Sequence, residues 1–193
     1  MLHRSLTSSE KFLFYRGLGH FDIPLKTTAD KDSVFLDNTG KEDIPFALAW
    51  EDGKIRWMGP LLSGKNARFA HDALIKSASL ASLVNALIDA GLYRDEAMAM
   101  LTTWRASYFG SPGLRVFWIV PRAFTDLTLP LEINPLPFHL QRVLVGRTEI
   151  LTPAMEARLK LESSLPEAQQ QLLRSRYRLP YLERLKQLQS SSQ

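Results

Sequence analysis

The chain has no cysteine, which excludes disulfides, thiolate metal centres and a cysteine nucleophile. It also lacks any apolar run near the roughly 18 residues that a membrane-spanning helix needs. Histidine is scarce. His3, His20, His71 and His139 stand far apart, without the three or four converging ligands of a zinc site. No Gly-x-Ser-x-Gly elbow is present. Gly17-Leu18-Gly19 lacks the third glycine of a dinucleotide fingerprint, and Gly64-Lys65 lacks the spaced glycine of a phosphate loop. Neither a metal nor a cofactor is therefore expected. A strong charge of one sign is wanting too: the net charge is +4, with ten Lys/Arg against nine Asp/Glu in residues 1–68 and fourteen against eleven in the rest. Nucleic-acid binders concentrate such an excess on one face, so nucleic acid is not an expected partner. The opening "MLHRSLTSSEKFLFYRG" has an apolar patch broken by charge, unlike a secretory signal. That leaves the cytoplasm, or removal of an upstream part.

What is present is globular. With 45% hydrophobic and 23% charged residues, 193 residues can bury one sizeable core or two small ones. "KFLFYRG", "HFDIPLKTT" and "SVFLDNTG" read as short strands. Phe46, Leu48 and Trp50 alternate with smaller or polar residues, as do Ile55 and Trp57, and Asp52-Gly53 between them is a two-residue hairpin signal. "LSGKNARFAHDAL" reads as a connector. Leu80, Leu83, Val84, Leu87 and Ile88 then recur at helical spacing, with Gly91 placed as a C-cap. A second helix follows in "RDEAMAMLTTWRASYF". Strands return in "LRVFWIV", "LTLPLEI" and "LQRVLVGRTEIL". After Thr152-Pro153, a cap followed by a favourable first residue, the chain reads as helical to its end. The expected class is α+β: an antiparallel β-sandwich-like sheet with an inserted αα-hairpin and a C-terminal helical tail. Residues 1–153 form the globular part (β-rich 10–62, hairpin 78–109, β-rich 114–150), and 154–193 the extension.

The joint "PRAFTD" between the first two returning strands is the first candidate for chemistry. Read plainly, it is a hairpin turn whose Arg122 and Asp126 pair with each other. Read functionally, Arg122, Arg142 and Arg147 form an anion clamp, with Asp126 or Glu149 orienting a guanidinium. The plain reading is preferred. Trp104 and Tyr108, beside a glycine turn, could stack on a sugar or peptide, although aromatics at this periodicity are more often core. The tail cations Arg174, Arg176, Arg178, Arg184 and Lys186 offer a weaker polyanion contact.

"EKFLFYRGLGHFDIPL", "AGLYRDEAMAMLTTWRASYF", "GLRVFWIVPRAFTDLTLPLEINPLP" and "RVLVGRTEILTP" together resemble the C-terminal part of a family of uncharacterised, often exported bacterial proteins. The resemblance spans most of residues 10–153 and fades in the tail. It implies an envelope or periplasmic location and a longer polypeptide, with the upstream region or another protein as partner. It implies no reaction. The leading expectation is a non-enzymatic binding or interaction domain of the bacterial envelope. The alternative is a hydrolase-like enzyme with its site between the αα-hairpin and the returning strands, using Arg122, Arg147, Asp126, Glu149 and Tyr108.

Overall fold

At Asp52-Gly53 the backbone takes the left-handed values, φ 47° and 83°, of a tight two-residue hairpin. That turn joins two of the seven strands. The computed structural model describes residues 21–174 and 177–190. Strands β1 (Leu25–Ala29), β2 (Ser33–Asn38), β3 (Ile44–Glu51), β4 (Lys54–Leu61) and β5 (Asn66–Ala70) come first. Helices α1 (Ala81–Asp89) and α2 (Arg94–Trp104) follow, and α2 runs into a π-helical turn, Arg105–Phe109. The chain continues through β6 (Arg115–Ile119), α3 (Arg122–Thr128), β7 (Val145–Glu149), α4 (Pro153–Ser163) and α5 (Arg178–Ser190).

The strands form two antiparallel sheets, ordered β1-β2-β5 and β4-β3-β6-β7. Period-2 alternation sends the side chains of the larger sheet to two different cores. Ala47, Ala49, Val116 and Trp118 meet Leu25, Val34, Leu36 and Phe69 of the smaller sheet. Leu48, Trp50, Phe117 and Ile119 meet Leu83, Val84, Leu87, Ala97 and Trp104 of the helical hairpin. The result is three layers, sheet on sheet on helices, with β6 buried along its whole length. A third, smaller cluster joins α4 and α5 through Leu159, Leu173, Tyr181 and Leu185. The Thr152 hydroxyl accepts from the Met155 amide at the start of α4, as its sequence suggests. Among the described residues no helix is long and apolar enough to cross a membrane.

The α+β class, the paired sheets, the inserted hairpin and the helical tail are all as expected. Four local readings need correction. "PRAFTD" is not a hairpin turn: it opens α3, where the Pro121 carbonyl accepts from the Thr125 amide and hydroxyl (3.0 and 3.1 Å), and a proline suits the position before a first turn. "LTLPLEI" forms no strand, because Pro130, Pro135 and Pro137 remove ladder donors from that stretch. The expected strand over residues 138–150 shrinks to β7. Conversely, the connector "LSGKNARFAHDAL" contains β5, whose short apolar set, Ala67 and Phe69, was too small to show a period. "KFLFYRG" lies outside the described residues.

The last ladder depends on one small residue. Gly146 pairs with Trp118 in register, and a Cβ there would sit 2.4 Å from the buried indole. The Trp118 ring therefore occupies the space above Gly146, fixing which β7 residues face which way. Gly146→Ala should lower stability by roughly 1–3 kcal/mol, the usual cost of overpacking a filled core, and urea unfolding would measure it. An unchanged midpoint would mean that β7 can move away from Trp118.

Candidate functional site

The charged candidates separate into two groups toward opposite ends of the β6–β7 ladder. At one end α3 presents Asp126, 46% exposed. Arg122, one turn earlier on the same helix, donates to Asp126 at 2.6 Å. Arg142, just before β7, donates to the same carboxylate at 3.1 Å and to the Leu129 carbonyl at 2.9 Å. Arg122 and Asp126 thus pair along a helix rather than across a turn. With both partners about half exposed, that ion pair is worth well under 1 kcal/mol.

The other end is buried and denser. Arg115 and Glu149 face each other in register, with Arg115 only 1% exposed and Glu149 14%. The Arg115 guanidinium donates to the Tyr108 and Pro112 carbonyls and to the Ser111 hydroxyl, and its Nε lies 3.4 Å from Glu149. It therefore closes the chain where α2 unwinds through the π-helical turn, satisfying carbonyls that no helix donor reaches. Arg147 pairs with Glu149 through Nε and donates to the Ser107 carbonyl at 3.1 Å. Its guanidinium lies 4.6 Å from the Tyr108 ring centre and 5.2 Å from that of Tyr177, a cation held between two aromatic faces. Tyr181, on α5, is buried beside the same group.

Burial pushes the Arg115 pKa below its ordinary value, against the opposing pull of Glu149. Burial, reinforced by Glu149, pushes the Tyr181 phenol up to about 12. Ser111 is engaged on all sides, donating to the Ser107 carbonyl at 3.1 Å while accepting from Arg115. No base stands ready to activate it. Trp104 is core, stacked on Tyr108 at 5.1 Å and on Phe117 at 6.1 Å. Among the described residues no three His, Asp or Glu side chains converge as a metal would require. The arrangement ties the helical hairpin, the last ladder and the tail helix to one another.

Of the residues foreseen, Arg147, Glu149, Tyr108 and Trp104 come together, and Arg122, Asp126 and Arg142 form the separate exposed group. Arg115, Ser111 and Tyr181 were not singled out. The signal for Arg115 was its place in "LRVFWIV": a charge inside a strand otherwise apolar on both faces requires a buried partner. The tail cation Arg184 is paired with Glu156 of α4, and Arg176 lies outside the described residues. No family model, curated protein or solved structure matches the chain.

Two outcomes follow from the geometry. Glu149→Gln leaves two largely buried guanidiniums without their shared counter-charge and should cost about 3–5 kcal/mol, whereas Asp126→Asn should stay within about 1 kcal/mol. Comparable losses for both in urea unfolding would contradict the division into a buried and a surface group. The Tyr181 phenol is held neutral more firmly in the folded chain than in the unfolded one, where it titrates near 10. Its contribution is complete below about pH 10 and fades as pH rises toward about 12. The unfolding midpoint of the wild type should fall more steeply over that window than that of Tyr181→Phe, and parallel curves would remove the assignment.

Proposed function

We propose that the protein is a non-enzymatic interaction domain, and that residues 127–140 are the segment it presents to a protein partner. The observation that carries this reading is a run of large apolar side chains left in water. Leu127 is 82% exposed, Leu136 88% and Phe138 108%, with Leu131 and Leu140 also exposed. Scattered exposed leucines need no explanation, but a contiguous apolar patch on a folded surface marks a contact site. Between α3 and β7 the chain has no helix or strand, and an irregular connection that long in a small domain is usually functional. Pro130, Pro135 and Pro137 limit its freedom, reducing the entropy lost on binding. The fitting partner is therefore a protein with an apolar groove that accepts a proline-bearing strip. The family resemblance adds the bacterial envelope as the setting.

The enzymatic alternative draws no comparable support. It needs Arg122, Asp126, Arg147, Glu149 and Tyr108 around one cavity, and these residues lie in the two groups described above, engaged with one another.

The test is competition. Proteins retained by the immobilised domain would be quantified with and without a synthetic peptide of residues 127–142, and with a Leu136→Asp/Phe138→Asp variant. The expected result is one or more partners displaced by the peptide, lost at least tenfold with the variant, and a thermal midpoint within about 2 °C of wild type, as for a surface change. Retention indifferent to both peptide and variant would sink the proposal.

A further inference from the structure

The smaller sheet turns its outer face to water, and that face is organised differently from the rest of the surface. In register across β1, β2 and β5 stand Lys26, Asp37 and Asn66 in one row, and Thr28, Phe35 and Arg68 in the next. These six residues line a shallow groove of about 440 Å³. Arg68 lies over the Phe35 ring, 5.4 Å from its centre, and its Nε donates to the Ser33 hydroxyl at 3.0 Å. The guanidinium is thus fixed in place while its two terminal nitrogens have no hydrogen-bond partner among the described residues. Arg56, Arg115, Arg142, Arg147, Arg158 and Arg184, by contrast, all direct their nitrogens at carboxylates or carbonyls of the chain. Lys26 and Asp37 are direct cross-strand partners, yet no ion pair joins them.

The geometry points to this groove as a binding site for an acidic sugar, a ring carrying one carboxylate and several hydroxyls. A planar guanidinium already held by a ring and a hydroxyl presents two parallel donors to a carboxylate at little further entropic cost. Lys26 adds a second positive charge beside it. Asp37 accepts from sugar hydroxyls, and Asn66 and Thr28 can both donate and accept. Two cations and one carboxylate leave the groove with a single net positive charge, which suits a monoanion. Asp37 opposes a second negative charge on the ligand. The exposed part of Phe35 offers a small apolar surface for the C–H face of a ring. This site does not depend on the segment 127–140.

The experiment is a ¹H–¹⁵N titration of the intact chain with a disaccharide ending in glucuronic acid, set against the neutral glucose disaccharide and inorganic phosphate. The acidic disaccharide should shift the amides of residues 26–28, 35–37 and 66–68, and bind at least tenfold more tightly than the neutral one. Arg68→Gln and Lys26→Gln should each weaken it about tenfold, and Arg122→Gln should leave it unchanged. Lys26 has no side-chain partner among the described residues, so its substitution tests the groove even if Arg68→Gln disturbs the sheet. No shifts with the acidic disaccharide, or unaltered binding in both variants, would overturn the assignment. Phosphate binding as tightly at the same amides would show a general anion site and overturn the sugar reading.

Discussion

A strand with water on neither face constrains everything around it. β6 carries Val116 and Trp118 into the core between the sheets, and Phe117 and Ile119 into the core beneath the helices. It has no polar face to expose, so both neighbouring layers must be present for it to be stable. Its two ladder partners differ. β3 is itself buried in the sheet, whereas β7 is an edge strand of intermediate burial. The chain thus has one rigid centre, and the features of interest lie where that centre meets looser elements: Arg115 at one end of β6, Pro121 and α3 at the other.

Arg115 shows why such an end needs a charge. Beyond α2 the helix widens into a π-helical turn and then a tight reversal, Gly110 to Gly113, leaving carbonyls close to the start of a buried strand. A guanidinium supplies several donors in one plane, enough to meet Tyr108 and Pro112 together. Burying that cation is costly unless it is balanced. Glu149 lies opposite because the β6–β7 register, held by Trp118 over Gly146, puts it there. Packing between an indole and a glycine thereby determines where a carboxylate sits two pairs further along.

Much of this was legible in the sequence, for physical reasons that can be named. The β3–β4 hairpin was visible because Asp52-Gly53 tolerates a backbone that few pairs can adopt. The helices α1 and α2 were visible because their apolar residues repeat at a helical period. What could not be read was local chemistry overruled by its neighbours. "LTLPLEI" is as apolar as a strand, but its proline leaves the ladder incomplete. β5 is a strand mainly because β2 offers it an edge. Among the site residues, Arg147 and Glu149 could be suspected from composition. Their convergence with Tyr177 and Tyr181 depends on α5 folding back across some thirty residues, which no short-range pattern encodes.

The cation between Tyr108 and Tyr177 belongs at once to the helical hairpin and to the tail. The apolar cluster of the tail is small, so α5 is among the least anchored parts of the fold. Because one guanidinium serves both aromatic faces, lifting the tail also weakens what steadies the end of α2. By reciprocity, loosening the end of α2 weakens the hold on the tail by the same free energy. Two segments nearly seventy residues apart are in this way thermodynamically coupled through a single side chain, with no need for either to change shape in order to sense the other.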